Sequence, residues 1–184
     1  MRRAGLIAIL LRDEDELIGV ELTDDTRQVF LGSKKGMCIR FDERDIRAMG
    51  RASMGVRGIA LAKEDEVVGL AVVEEDAQVL AITSNGYGKR TDPDEFRLQS
   101  RGGKGIRAMK LTDKTGAMAA QLVIRENEDI MLITDAGAII RMPASDVSRL
   151  GRSTQGVRLM RVAEGCKVVG VSRAEPADDT EPDE

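Results

Sequence analysis

The amino-acid sequence repeats itself three times with a period of about fifty residues. Gly36, Gly86 and Gly137 follow one another at intervals of 50 and 51. The same spacing separates four further triplets, which are Gly55/Gly105/Gly156, Arg51/Arg101/Arg152, Arg57/Arg107/Arg158 and Arg40/Arg90/Arg141. A period of this length indicates a propeller, a solenoid or an array built from one supersecondary unit. In such an array, a base that recurs in register forms a row of positive charge along one surface.

The repeat divides the chain into full units 17–66, 67–117 and 118–167. Residues 1–16 resemble the end of an earlier unit, because Ala4-Gly5-Leu6-Ile7 lies one period before Met54-Gly55-Val56-Arg57. Residues 168–173 begin another unit. We therefore expect residues 1–173 to form part of a longer array, of which this chain is the carboxy-terminal piece.

Each unit is predicted to contain four strands. Apolar runs give the first strand at 17–20, 67–70 and 118–121, and the second at 28–31, 78–82 and 129–133. A turn with glycine, such as Asn85-Gly86, then predicts a hairpin in which both turn residues have positive φ. The third strand ends at Arg40, Arg90 or Arg141, and the fourth is predicted at 56–61, 106–111 and 157–162. This pattern predicts an all-β, propeller-like fold of about three four-stranded blades, with partial strands at both ends.

Composition excludes several classes of function. The chain has no histidine and two cysteines, Cys38 and Cys166, far apart in sequence. The common metal clusters and imidazole-based catalytic triads are therefore excluded, and we expect no metal and no cofactor. No apolar run approaches the length of a membrane span and no signal peptide is evident, so we expect a cytoplasmic protein without a membrane partner.

Charge is segregated along the chain. Residues 174–184 contain six acids and no base, and with Pro176 and Pro182 they are predicted to form a disordered acidic tail. The rest of the chain has 28 bases against 26 acids, a net charge of +2. The loops from third to fourth strand are basic, with seven bases and three acids in 89–110, whereas turns such as 64–66 and 74–76 are acidic. We expect one positive rim, which is typical of a polyanion-binding surface.

The segment Gln99-Ser100-Arg101-Gly102-Gly103-Lys104-Gly105 is the sharpest local motif. Glycines between bases allow the backbone to approach a ligand closely, so that amides and cations can bind phosphates without reading base sequence. Aromatic residues make up only 2% of the chain, which favours duplex over single-stranded nucleic acid. The predicted contacts are Gln99, Arg101, Gly102, Gly103, Lys104, Gly105, Arg107, Arg51, Arg57, Arg152, Arg158, Lys89 and Arg90.

These motifs resemble those of the family of DNA gyrase A C-terminal domains. The resemblance covers essentially the whole chain, including the Gly-Val-Arg elements at 55–57 and 156–158, the segments 85–91, 133–137 and 151–156, and the acidic end. The family hallmark is the box Q-[RK]-R-G-G-[RK]-G. Residues 99–105 match it except at Ser100, and their position in a late unit marks them as a box-like repeat.

The resemblance implies a β-pinwheel, a propeller-like disc whose blades exchange strands and whose basic outer rim wraps duplex DNA. It implies a non-catalytic module of a type IIA topoisomerase that supports negative supercoiling, with the remainder of gyrase A and gyrase B as partners. The family's cleaving tyrosine lies in another domain, and Tyr87 does not match it. A topoisomerase IV-like C-terminal domain and a protein-interaction β-propeller remain as alternatives.

Overall fold

The computed structural model describes residues 5–176. Within them it has eleven strands and three single-turn 3₁₀ helices. The strands are β1 Gln28–Ser33, β2 Met37–Asp42, β3 Val67–Val72, β4 Ala77–Thr83, β5 Tyr87–Thr91, β6 Ile106–Arg107, β7 Met118–Arg125, β8 Asp129–Thr134, β9 Ile139–Pro143, β10 Val157–Arg158 and β11 Val168–Ala174. The helices are Glu43–Asp45, Pro93–Glu95 and Ala144–Asp146, and each follows the third strand of its unit. Within residues 5–176, no helix is long and apolar enough to cross a membrane.

The strands form three antiparallel sheets, and each sheet combines two successive repeats. Their orders are β3-β1-β2-β6, β10-β5-β4-β7 and β11-β8-β9. The hairpin at the middle of each sheet comes from one unit, whereas the flanking strands come from the next unit. The prediction of an all-β, propeller-like fold is confirmed, and the sheets show that neighbouring repeats exchange strands.

The flanking strands define an inner and an outer edge. The first strands of the units, β3, β7 and β11, pack against one another. This approach is close, because a Cβ atom added at Gly69 of β3 would overlap the backbone of Gln121 in β7. The two-residue strands β6 and β10 lie at the opposite edge of their sheets. The fourth strands therefore mark the periphery of the array.

The core runs between sheets and contains few aromatic rings. Phe30 of the first sheet meets Phe96 of the following unit edge to face, with ring centroids 5.0 Å apart. Aliphatic residues fill the rest, and Ile124, Ile130 and Leu132 are fully buried. Burial of such side chains is the main favourable term in folding, and the buried residues form several clusters along the array.

Two predicted strands of the first unit are absent from the structure. Residues 17–20 and 56–61 have no strand assignment. Both strands would have to pair with the hairpin of an earlier unit. Residues 5–22 do not form such a hairpin. The repeat register nevertheless continues there, because Leu10 N donates to Ser53 O at 3.0 Å. The equivalent bonds one and two units later run from Ala60 N to Gly103 O and from Lys110 N to Thr154 O.

The other fourth strands are shorter than predicted. Only 106–107 and 157–158 are strands, not the full runs 106–111 and 157–162. The first of these segments changes partner after Ala108: Ala108 N still bonds to Gly36 O of the same hairpin, whereas Lys110 N bonds to Thr154 O of the next unit. A segment that passes from one neighbour to the next cannot extend either ladder.

The hairpin turns also differ from the prediction. Gly36, Gly86 and Gly137 have φ values of +80°, +77° and +80°, but Asn85 is not among the residues with positive φ. The bond from Gly86 N to Thr83 O places the glycine at the fourth position of the turn. Only one left-handed residue is therefore needed per hairpin, which explains why the residue before the glycine varies between repeats.

The predicted acidic tail falls largely outside the described part of the chain. Ala174 is the last residue of β11, and Glu175 O accepts a bond from Arg141 Nη2 at 2.5 Å. Disorder is therefore not seen at the first residues of the predicted tail. Residues 177–184 lie outside the described residues.

Candidate nucleic-acid interface

The basic motif at 99–105 lies in a loop that crosses to the preceding unit. Gln99 N donates to Arg40 O at 2.9 Å, and Gly102 N donates to Gly58 O at 2.5 Å. The amide of Gly102 is therefore used within the protein and is not free for a phosphate, contrary to the sequence-based expectation. Gln99 is half-buried, and its Nε2 is a buried atom without a hydrogen-bond partner within the described residues.

The glycines of this loop satisfy backbone geometry. Gly102 and Gly105 have φ values of +80° and +70°. A Cβ atom on Gly105 would overlap the carbonyl oxygen of Cys38, whereas one on Gly103 would meet Ile39 Cδ1 at an ordinary 3.6 Å. Gly105 thus allows the loop to lie directly against β2. Burial there raises the pKa of the Cys38 thiol to about 12.

Two repeated arginines connect the basic loops of successive units. Arg101 Nε donates to Asp45 O at 2.8 Å, and its Nη1 donates to Arg57 O at 3.2 Å. One unit later, Arg152 Nη1 donates to Arg107 O at 3.3 Å. These bonds hold each loop beside the fourth-strand segment of the unit before it. The bases therefore follow one another from unit to unit along the outer edge.

We use the name basic track for the predicted DNA-contacting bases that lie exposed or half-buried along this edge. Its members are Arg51, Arg57, Arg101, Lys104, Arg107, Arg152 and Arg158. Within residues 5–176, none of them forms an ion pair with a carboxylate. Arg107 and Arg158 lie on the two peripheral strands themselves. Within the described residues, therefore, no direct ion pair neutralises the positive charge of the track.

Several bases away from the track are ion-paired. Arg44 Nη2 lies 2.6 Å from Asp42 Oδ2, Arg125 Nη2 lies 2.7 Å from Glu74 Oε2, and Arg173 contacts both Glu74 and Glu128. These pairs lie where the first-to-second-strand turns and the 3₁₀ helices meet. The separation of a positive rim from a negative one remains a prediction.

Arg90 is not part of the track, and its prediction as a DNA contact is corrected. It is 4% exposed. Its Nε donates to Val147 O at 2.9 Å, its Nη2 to Ser145 O at 3.2 Å, and its Nη1 to Gln78 Oε1 at 3.0 Å. Arg90 thus holds the end of one hairpin against the 3₁₀ helix of the next unit. Arg40 makes the equivalent contacts with Pro93 O and Phe96 O.

Lys89 is corrected for the same reason. Its side chain is fully buried, and its Nζ donates to Gly151 O at 2.7 Å and Thr154 Oγ1 at 3.3 Å. Desolvation lowers the pKa of Lys89 to about 8. Lys89 therefore fixes the loop at 151–154 from inside and cannot reach a phosphate outside the blade.

Sequence reasoning missed three residues beside Arg158. Tyr87, Lys114 and Arg161 line a cavity with it at the outer edge of the second sheet. Alignment of the repeats could have drawn attention to two of them. Tyr87 stands where the first unit has Met37, and Lys114 stands where the first unit has Glu64. In the described part of the chain, no group of three His, Cys, Asp or Glu side chains is arranged to hold a metal ion.

Comparison with known proteins identifies the family. The model of the DNA gyrase C-terminal domain, β-propeller, matches residues 1–24, 27–74, 77–120 and 128–175. The chain belongs to the DNA gyrase C-terminal domain family. DNA gyrase A of Halalkalibacterium halodurans is 62% identical over 179 residues, covering 97% of this chain and 22% of that protein. DNA gyrase A of Escherichia coli K12 is 46% identical over 184 residues, covering 100% and 21%.

Solved structures agree with the family assignment. A DNA gyrase A C-terminal domain superimposes with a TM-score of 0.85 at 29% identity, covering 92% of this chain and 58% of that one. The C-terminal domain of a DNA topoisomerase IV gives a TM-score of 0.87 at 24% identity, covering 93% and 54%, which shows a shared fold. This chain therefore spans about a fifth of the length of the curated gyrase A relatives it matches.

Proposed function

We propose that this chain is a non-catalytic DNA-binding and DNA-wrapping module of DNA gyrase A, which is part of a type IIA topoisomerase. The observation that carries the proposal is the row of bases along the outer edge. Those on the basic track have no carboxylate partner within residues 5–176, whereas Arg44, Arg125 and Arg173 are ion-paired. Unpaired cations in register along an outer edge can neutralise phosphates of a duplex.

The proposed mechanism is electrostatic. Each arginine or lysine that meets a phosphate releases condensed counterions, so binding weakens steeply as salt rises. Smooth bending of a 20–30 base-pair site costs of order 1–6 kcal/mol, which several such contacts offset. In the whole enzyme, a bent segment held in a fixed direction would support negative supercoiling. The partners would be duplex DNA, the rest of gyrase A and gyrase B.

Under this proposal, strand cleavage would belong to a part of the enzyme outside this chain. Tyr87 is the only tyrosine in the sequence. It is 7% exposed, and its hydroxyl accepts bonds from Arg158 at 2.8 Å and 3.2 Å. A hydroxyl held in this way is not presented to a phosphodiester for attack, which supports a non-catalytic role.

The direct test is a gel shift with linear duplex DNA at low salt. The double variant Arg101→Ala/Lys104→Ala removes two cations of the track. The control Arg44→Ala/Arg125→Ala removes two ion-paired cations and changes the net charge equally. Removal of two phosphate-binding cations should weaken binding by about tenfold or more. Circular dichroism verifies that both variants are folded, and equal affinities for the two would contradict the proposal.

The same experiment tests one alternative, and the comparisons bear on the other. A protein-interaction β-propeller would ignore duplex DNA at low salt. A topoisomerase IV-like domain shares the fold, but the family model and the curated relatives favour gyrase A. In full-length enzyme, the track variant should lose negative supercoiling more than relaxation.

A further inference from the structure

A cavity with only positive charge opens at the outer edge of the second sheet. Its volume is about 400 Å³. The charged side chains that line it are Lys114, Arg158 and Arg161, and no carboxylate is among the lining residues. Three cations that share one cavity repel one another. Such an arrangement is most stable when an anion occupies it.

Tyr87 fixes the central cation. Arg158 Nη2 and Nε donate to the tyrosine hydroxyl at 2.8 Å and 3.2 Å, and Arg158 Cζ lies 5.3 Å from the ring centroid. Lys114 Nζ lies 5.5 Å from the same centroid. The ring is 7% exposed and is therefore closely packed. Cation–π attraction and the hydroxyl bonds restrict both side chains before any ligand arrives, which lowers the entropic cost of binding.

Asn85 fixes the other wall of the cavity. Its Nδ2 donates to Asp113 O at 3.2 Å and to Lys114 O at 3.1 Å. The turn that carries Lys114 is thereby tied to the hairpin that carries Tyr87. The positions of the two cations are set by separate elements that are joined to each other.

The first sheet provides an internal comparison. At the positions of Tyr87, Lys114, Arg158 and Arg161, it has Met37, Glu64, Arg107 and Lys110. The arginine and the second base are retained, but the ring is missing and a carboxylate replaces the lysine. The fold therefore does not require this cationic cavity. It is a property of the second sheet alone among the two four-stranded sheets of residues 5–176.

We propose that this cavity is a preorganised site for a single phosphate group, with Arg158, Arg161 and Lys114 as its ligands and Tyr87 as the positioning residue. The inference rests on the proposed function in one respect: the phosphate belongs to the backbone of bound duplex DNA. It adds Lys114 and Arg161 to the interface and makes the second sheet its strongest contact. A free phosphate offers the same chemistry, and the experiment below distinguishes the two sources.

Tyr87 supplies the measurement. It is the only tyrosine and the chain has no tryptophan, so intrinsic emission reports this ring alone. Titration with duplex DNA at low salt, corrected for absorption by the DNA, should change the emission until saturation. Inorganic phosphate in a parallel titration should act weakly and only at much higher concentration if the duplex is the natural source. Saturation by phosphate at low concentration would overturn the assignment to the duplex.

Variants test the ligands by gel shift on the same duplex. Lys114→Glu, which installs the side chain of the first sheet, and Arg158→Ala should each weaken binding about tenfold, as expected for a charged hydrogen bond. Tyr87→Phe keeps the ring and removes the hydroxyl, and should weaken binding about threefold. Arg125→Ala, an ion-paired arginine, is the control. The graft Met37→Tyr/Glu64→Lys should strengthen binding, and its outcome does not depend on the second sheet.

The outcomes separate this inference from the proposed function. If the unaltered chain binds the duplex and the Lys114, Arg158 and Tyr87 variants bind as tightly as Arg125→Ala, the phosphate site is refuted while the DNA-binding proposal stands. If the unaltered chain binds no duplex, the proposed function fails. The phosphate titration then tests by itself whether the cavity binds an anion. Saturable emission change with phosphate would then support the cavity as an anion site, and no change would overturn it.

Discussion

Arg90 connects the second unit to the third, and its removal should destabilise the fold severely. In Arg90→Ala, the carbonyl oxygens of Val147 and Ser145 and Oε1 of Gln78 lose their guanidinium donor. Val147 is fully buried and Gln78 is 8% exposed, so water cannot replace the donor easily. The loss of a donor costs about 1–3 kcal/mol for each buried acceptor. We expect a total loss of about 3–5 kcal/mol in the free energy of unfolding.

Such a loss is large against the 5–15 kcal/mol that typically stabilises a domain. The control Arg125→Ala removes an exposed arginine from an ion pair with Glu74 and should cost about 0–1 kcal/mol. Arg90→Lys should recover little of the loss, because one ammonium group cannot reproduce a planar fork of donors.

Urea unfolding followed by far-ultraviolet circular dichroism measures these differences. The midpoints of the three variants are compared with that of the unaltered chain at one pH. A destabilisation below about 1 kcal/mol in Arg90→Ala would refute the assignment of Arg90 to the junction between units. A folded Arg90→Ala variant with greatly weakened DNA binding would restore it to the interface instead.

Three further predictions concern stability and reactivity. Gly105→Ala should destabilise the chain far more than Gly103→Ala in the same urea assay, because only Gly105 combines φ of +70° with an overlap onto Cys38; similar midpoints would contradict this. The lowered pKa of Lys89, about 8, means that the unfolded chain binds more protons than the folded chain between pH 8 and the ordinary lysine pKa of 10.5, so stability should rise across that interval. Lys89→Met should flatten that rise, and an unchanged pH profile would exclude Lys89 as its source. A maleimide at neutral pH should label half-buried Cys166 and spare Cys38, whose pKa is raised to about 12, and mass spectrometry of the digested chain would reveal any labelling of Cys38.

The repeat alone predicts much of the fold. Its period and glycine positions predicted the hairpins and the basic loops, because a fixed register places equivalent residues at equivalent points of each unit. It could not predict strand exchange. A repeat period does not say where a structural unit begins, so a unit boundary between residues 66 and 67 describes the repeat as well as any other boundary. The sheets, by contrast, depend on which hairpin each flanking strand reaches in space.

Charge alone could not distinguish structural bases from surface bases. Arg90 and Arg101 both recur in register, yet Arg90 is buried and Arg101 lies on the track. Two signals for burial were present in the sequence. Lys89 takes the position of Ile39 and Ile140, which are apolar, and Arg90 stands twelve residues after Gln78, its partner across the hairpin. The pairing of one repeat with the next decides the outcome, and no single unit contains that information.

The salt dependence of duplex binding tests the basic track most directly. Arg57→Ala/Arg107→Ala/Arg158→Ala removes the arginine that recurs at one repeat position in each unit, whereas Arg44→Ala/Arg125→Ala/Arg173→Ala removes three ion-paired arginines. If the track binds phosphates, the slope of log Kd against log salt should fall by about 0.9 for each phosphate that is no longer neutralised, and only in the first variant. Identical slopes for the two triple variants would contradict a phosphate-binding outer edge.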